Sequence, residues 1–300
     1  MRAIAALAEF FGRAREVAAV YLYGRYASGP SFPDTDLEVG LVFPPGVEDE
    51  EIRDYLERLS DANPLGGEPG MLMPFALNTH IPQVVHEILT GGTVLVDNDP
   101  DARAAFAQAA RARIEREWPA MLDDAREAIT QARALGLAAT AASGYVLPQP
   151  PRFLDPIRVG WRLGRVLASV AVIEATTRDL DAVVRDPDRI GQVVGWFSNA
   201  SGAATGIAKA MLSIFEMERP PRRWQVFIPV ADAGLIPMDL ALALGGLVEL
   251  RWQLLAGGGM VAADRIVTGV RGGLPHLLAF ARQAAWYCEL PGGRGDAKVH

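Results

Sequence analysis

The pattern of apolar residues changes near Asp99, and this change constrains the fold more than any other feature of the sequence. Before it, short runs of β-branched and aromatic residues, such as 18–23 and 37–43, alternate with helical patterns. After it, apolar residues recur at spacings of three and four, as in the stripe from Val159 to Ile173. The sequence therefore predicts an α/β domain followed by an antiparallel helical bundle.

The pattern also predicts the individual elements and the domain boundaries. Strands are predicted at 18–23, 37–43, 71–77 and 93–96, and helices at 3–17, 48–59, 83–89, 99–117, 120–135, 159–173, 190–215, 237–255, 262–270 and 275–287. Small residues and prolines in 136–152 are typical of a linker. We therefore expect an α/β domain at 1–118, a helical connector with a Pro-rich linker at 119–152, a helical domain at 153–288 and a flexible tail at 289–300.

Composition limits the binding partners and the cellular compartment that we expect for this chain. The net charge is −7, which disfavours general nucleic-acid binding, and the best basic cluster (Arg219, Arg222 and Arg223) is small. The single cysteine, Cys288, excludes an internal disulfide and a Cys-rich zinc site, and we expect it to be a buried small hydrophobe. The sequence has neither a signal-peptide layout nor an uncharged run of membrane-spanning length, so we expect a cytoplasmic protein with no membrane partner.

One stretch, VYLYGRYASGPSFPDTDLEVGLVF (20–43), carries the spacing that nucleotidyl transfer needs. The reaction requires backbone N–H groups that hold a triphosphate and carboxylates that hold Mg²⁺ against the phosphates. Gly24 is expected in a turn after the first predicted strand. Asp36 and Glu38 stand at positions i and i+2 of the next strand, so both carboxylates face the same way while Leu37 faces the core.

This stretch resembles the minimal nucleotidyltransferase (MNT) domain of bacterial antitoxins. The family pattern is a hydrophobic strand, Gly-Ser, about ten residues, and Asp-hydrophobic-Asp/Glu; here ten residues separate Arg25 from Asp36. The later stretch LNTHIPQVVHEILTGGTVLVDNDPDARAAF (77–106) is similar to the end of that domain, and the resemblance covers about 5–118. The resemblance implies a mixed sheet with helices. It also implies that Asp36 and Glu38 are catalytic residues and ligands of Mg²⁺ or Mn²⁺. Gly24 and Arg25 would then form the binding site for an NTP, most of all ATP.

Two positions depart from the MNT pattern. Arg25 stands where the family has serine, although an arginine can still pair with phosphate. Met73 stands where the family often has a third acidic residue, and a thioether does not bind Mg²⁺ usefully. Glu68 or Asp34 could substitute for that acid if the loops that carry them fold inward.

The second half resembles a HEPN domain, the usual partner of MNT domains in toxin–antitoxin systems. The resemblance rests on the order of DPDRIGQVVGWFSNASGAATGIAKAML, RPPRRWQVFIPVADAGLIP and LVELRWQLLAGGG. Ribonuclease members carry Arg-polar-x-x-x-His, and some toxins have an AMP-accepting tyrosine two residues later. Here Arg251 is followed by Ala256 and Gly258 at those positions, so we expect no ribonuclease activity and no RNA partner.

A rival match to the same motif runs from Arg271 to His276. Two glycines and a proline between them predict a poor helix interior, with His276 at the start of a helix. A run of small residues at 200–208 permits either a small-molecule pocket or close helix packing, and the second is favoured.

Two functions follow from the resemblance. The first is an MNT–HEPN fusion that works as a Mg-dependent transferase, moving AMP from ATP to a hydroxyl of a protein or a small molecule. The second is a catalytically inactive fusion, a pseudoenzyme that senses nucleotide or serves in assembly, because both motifs are degenerate. HEPN-like bundles commonly pair, so the resemblance also implies a homodimer through the helical domain.

Overall fold

The structure is a computed structural model that describes residues 2–23, 37–62, 64, 72–135, 154–217, 220, 222–257 and 262–288. The chain divides into two units, Met1–Pro119 and Ala120–His300. The first contains a sheet and the second is helical, which confirms the predicted combination of an α/β part with a helical part.

Four strands of the first unit form one mixed sheet in the order β3-β2-β1-β4. They are β1 (Ala19–Tyr23), β2 (Leu37–Val42), β3 (Leu72–Ala76) and β4 (Thr93–Asp97). β1 is antiparallel to β2 and β4, while β2 and β3 are parallel. The helices of this unit are α1 (Arg2–Gly12), α2 (Asp49–Ala62), α3 (Pro82–Gly91) and the first part of α4 (Pro100–Ala134).

The two faces of the sheet differ in chemistry. On one face, apolar side chains of β1 and β2 pack with α1 and α2; the core there includes Leu7, Phe11, Val20, Leu22, Leu37, Val39, Leu41, Ile52 and Leu59. Successive strand residues alternate between faces. Tyr21, Tyr23 and Glu38 therefore project to the opposite face.

The observed extent of α4 differs from the prediction. Residues 99–117 and 120–135 were expected to form two helices separated at Pro119, but Pro100–Ala134 is one helix with Pro119 inside it. A proline removes one helical hydrogen bond and crowds the preceding turn. The flanking residues, rich in Ala, Arg and Glu, are strong helix formers that continue the helix across the interruption.

In the part of the second unit that the structure describes, six further α-helices surround one apolar core. They are α5 (Pro156–Thr176), α6 (Leu180–Val184), α7 (Pro187–Ile214), α8 (Ile228–Asp232), α9 (Met238–Gly257) and α10 (Ala263–Trp286). α5 and α7 each begin with an aspartate cap followed by proline: Asp155 and Asp186 accept backbone N–H bonds from the first turns. The core also takes in Ala128, Ile129 and Ala132 from the last turns of α4.

The small residues at 200–208 belong to this core. Ala200, Ala203, Ala204 and Ala208 are buried within the apolar cluster of the second unit. Their role in the structure is therefore close helix packing, the favoured of the two expectations. Among the helices that the structure describes, none combines the length and the apolar character needed to span a bilayer.

α10 also differs from prediction, because Ala263–Trp286 is a single helix with Pro275 in its interior. His276 therefore lies in the middle of a helix rather than at its start. A Cβ at Gly273 would lie 2.4 Å from Leu247 Cδ2, so the glycine allows α10 to approach α9 closely. This packing outweighs the poor helix propensity of the segment. Arg271 and His276 thus share one helix.

Cys288 is buried as expected, and its thiol should be unreactive in the native protein. It is 1% exposed, and burial raises its pKa to about 12. A raised thiol pKa keeps the group protonated at neutral and mildly alkaline pH, whereas the thiolate is the reactive form. We expect an aromatic disulfide reagent at pH 8 to label the native chain at least about 100-fold more slowly than the chain unfolded in guanidinium. Equal rates would contradict this burial.

Candidate functional site

Glu38 lies where the first two strands meet the segment that joins them. Leu37, the first residue of β2, is fully buried against the apolar face, and the half-buried Glu38 therefore points to the other face. Its Cα partner across the antiparallel pair is Tyr23, the last residue of β1. Gly24, Arg25 and Asp36 lie outside the described residues, as do Asp34 and Glu68, so their predicted roles stay predictions.

Met73 stands beside Glu38 on the neighbouring strand. The parallel register pairs Leu37 with Leu72 and Glu38 with Met73. Paired residues on adjacent strands project to the same face. The residue predicted to stand at the third acidic position of the MNT pattern is therefore next to Glu38, and its side chain is a thioether.

A carboxylate that sequence reasoning missed reaches the same face from α3. The Tyr23 hydroxyl donates a hydrogen bond to Glu87 Oε2. Since Tyr23 is the cross-strand partner of Glu38, Glu87 is held close to the side of the sheet that Glu38 occupies. The available signal was local: Glu87 follows the buried Val84 and Val85 and precedes the buried Ile88, so an acid stands among core-facing positions.

Positive charge lies on this side of the sheet as well. Hydrogen bonds to Asp97 and Tyr21 raise the pKa of Arg103, a residue of α4 that also pairs with Asp97 at 2.9 Å. Tyr21 and Tyr23 are two residues apart on β1 and share a face. Arg103 and Arg111 border a groove of about 430 Å³ along α4. Arg103 thus belongs to an ion pair with Asp97, and every residue that lines the groove belongs to α4.

The donor chemistry of Glu38 and Glu87 suits a hard cation, since Mg²⁺ prefers carboxylate oxygens. Within the described ranges, no group of three or more His, Cys, Asp or Glu side chains is placed to hold a metal ion. Asp36, the other predicted ligand, falls outside those ranges. The metal site at Asp36 and Glu38 therefore stays a prediction.

The positions predicted to be degenerate in the helical unit fall at the end of α9. Arg251 Nε donates to Ser198 Oγ of α7 at 2.9 Å. Ala256 lies in the last turn of α9, and Gly258 lies outside the described residues. The structure thus joins Arg251 to α7.

No protein-family model and no curated protein match the sequence significantly. Solved structures similar to this chain are toxin–antitoxin proteins. A toxin–antitoxin with AMP-PNP is 18% identical over 42% of this chain and 95% of its own, with a TM-score of 0.40. The tri-AMPylated Shewanella oneidensis HEPN toxin in complex with MNT antitoxin gives 17% identity, 42% and 94% coverage, and a TM-score of 0.39. An MntA-HpeT toxin–antitoxin mutant is 16% identical over 39% of this chain and 92% of its own, with a TM-score of 0.29.

One of these neighbours pairs a HEPN toxin with an MNT antitoxin, and all three match about two fifths of this chain. Their identities and TM-scores are too low to assign this chain to a family. The fusion of an MNT domain to a HEPN domain and the degeneracy of both motifs stay predictions.

Proposed function

We propose that the N-terminal unit is a nucleotidyltransferase that moves AMP from ATP to a hydroxyl of a protein or a small molecule. The observation that supports this most is the hydrogen bond that ties Glu87 to the strand pair carrying Glu38. Glu38 lies in register with Tyr23, and the Tyr23 hydroxyl binds Glu87. The segment between these strands carries Gly24, Arg25 and Asp36 at the spacing of the MNT pattern.

In this proposal, Asp36 and Glu38 would hold Mg²⁺, which would neutralise negative charge on the triphosphate. Gly24 and Arg25 bind the triphosphate. Glu87 takes the proton of the acceptor hydroxyl, whose oxygen bonds to the α-phosphorus of ATP. The bond from that phosphorus to its bridging oxygen breaks, and pyrophosphate leaves. Glu87 thereby performs the proton transfer that Met73 cannot.

Calorimetry of ATP–Mg²⁺ binding tests the site. We expect Asp36→Asn to weaken binding at least about tenfold, because the variant loses a charged ligand of the cation. Asp54→Asn is the matched control, since Asp54 is exposed on α2 and its change removes the same charge elsewhere. Incubation with labelled ATP and Mg²⁺ should label an acceptor. Failure to incorporate label, together with no nucleotide-induced rise in melting temperature, would exclude the transferase.

The register of Met73 with Glu38 favours a second function, a catalytically inactive nucleotide sensor or assembly protein. Binding of ATP–Mg²⁺ that depends on Asp36 but yields no labelled product would support it. Pairing of two chains through the helical unit belongs to both proposals. Light scattering at micromolar concentration should then give the mass of a dimer, and a monomer would contradict the pairing.

A further inference from the structure

Three arginines from two helices of the second unit converge on one short stretch of α7. Arg162 and Arg165 come from α5, and Arg251 comes from α9. Arg165 Nη2 donates to Asn199 Oδ1 at 2.9 Å, and Arg251 Nε donates to Ser198 Oγ at the same distance. Arg162 lies across the same helix one to two turns later. These three arginines, with residues 198–206, are called the arginine cluster below.

A glycine of α7, Gly206, makes room for the Arg162 side chain. A Cβ at Gly206 would lie 2.6 Å from Arg162 Nε, closer than van der Waals contact allows. A Cβ at Gly202 would lie 3.8 Å from Arg251 Nη2. The glycines are four residues apart and so lie on one face of the helix. Arg162 can therefore rest directly against the backbone of α7.

The cations are close enough to disfavour one another. Partial desolvation, followed by the charge of Arg162, lowers the pKa of Arg165. Arg165 is exposed, and its hydrogen-bond partner within the described part of the chain is the neutral amide of Asn199. A guanidinium has five N–H donors, so Arg165 retains donors for a ligand. An anion at this place would relieve the repulsion between Arg162 and Arg165.

Tryptophans flank the arginine cluster. The Trp161 ring centroid lies 4.4 Å from Arg162 Cζ and 5.6 Å from Arg165 Cζ, within the range of cation–π attraction. The Trp161 indole N–H is buried, and no acceptor for it lies among the residues that the structure describes. Trp196, one turn before Asn199 on α7, is 38% exposed. The ring of Trp161 thus steadies both guanidinium groups, and that of Trp196 is open to solvent.

We propose that the arginine cluster binds the phosphate groups of a small phosphorylated ligand. Arginine forks match phosphate oxygens in geometry and form strong charge-assisted hydrogen bonds. Arg165 supplies charge and hydrogen-bond donors, and Asn199 holds it in position. Arg162 and Arg251 add positive charge along α7. The site belongs to the helical unit and does not depend on the proposed transferase reaction.

Calorimetry with pyrophosphate and with ATP tests this site on the full chain, at low salt and in EDTA. Chelation removes the Mg²⁺ on which the proposed transferase site depends. We expect Arg165→Met to weaken pyrophosphate binding about tenfold, since it removes one charged hydrogen-bonding partner. Gly206→Ala should weaken it similarly by displacing Arg162. Each change has a control on α7: Arg189→Met removes an exposed arginine paired with Asp186, and Gly195→Ala adds a Cβ with no atom within 4 Å.

Comparing the affinities for pyrophosphate and ATP shows which part of the ligand the arginine cluster recognises. Equal affinity for pyrophosphate and ATP would identify phosphate alone as the recognised group, and tighter binding of ATP would add stacking of its base. Both results support the site. Absence of binding by either ligand, or unchanged binding in a folded Arg165→Met protein, would overturn it. So would an RNA oligonucleotide that binds more than about ten times tighter than both small ligands. If Gly206→Ala fails to fold, Arg165→Met decides alone.

Discussion

Replacing Glu87 by Gln is expected to slow AMP transfer about 100-fold while leaving the affinity for ATP–Mg²⁺ nearly unchanged. Under the proposed function, Glu87 takes the proton of the acceptor hydroxyl, and a positioned general base contributes at least this factor. The amide of Gln keeps the shape of the side chain and can still bond to Tyr23, but it cannot take up the proton. Transfer of label from ATP measures the rate, and calorimetry measures the affinity.

A second carboxylate should rescue this variant. Met73 lies in register with Glu38, so Met73→Asp places an acid beside it on the same face. We expect Met73→Asp to raise the transfer rate of the Glu87→Gln protein at least about tenfold, because a base is again within reach of the acceptor hydroxyl. Met73→Asn is the control that matches aspartate in size without its charge. Glu57→Gln, an exposed acid on α2, should change nothing. An unchanged transfer rate in Glu87→Gln would show that Glu87 is not the general base.

The sheet could be predicted from the sequence because its signals are local. Strands predicted at 18–23, 37–43 and 93–96 are observed at Ala19–Tyr23, Leu37–Val42 and Thr93–Asp97. Alternation with a period of two and enrichment in β-branched and aromatic residues lie within each segment. The same alternation predicts that Glu38 and Leu37 project to opposite faces of the sheet.

The features that prediction missed depend on contacts between distant residues. Tyr23 and Glu87 are separated by 64 residues, so no local pattern joins them. The continuous helix through Pro275 is packed against α9 at Gly273, where a Cβ would meet Leu247. Proline and glycine weaken a helix by local propensity, and tertiary packing can outweigh that cost. The same reasoning covers Pro119 in α4, where strong helix formers flank the proline.

Gly160→Ala and Gly164→Ala are expected to change stability in opposite directions. Both glycines lie on α5, one turn apart, facing the end of α4. A Cβ at Gly160 would lie 2.5 Å from Ala125 Cβ and 2.7 Å from its Cα, so backbone must move to admit it. A Cβ at Gly164 would lie 3.6 Å from Ala128 Cβ, an ordinary contact.

Urea denaturation of the two variants measures this difference. Overpacking against backbone should make Gly160→Ala about 1–3 kcal/mol less stable than the parent. Gly164→Ala should be about 0.5–1 kcal/mol more stable, because alanine loses less conformational entropy than glycine in a helix. Helix propensity alone predicts a gain for both, so the opposite signs isolate the approach of α4 to α5. Stabilisation by Gly160→Ala would mean that residues 120–134 do not pack on α5 as closely as Ala125 and Gly160 require.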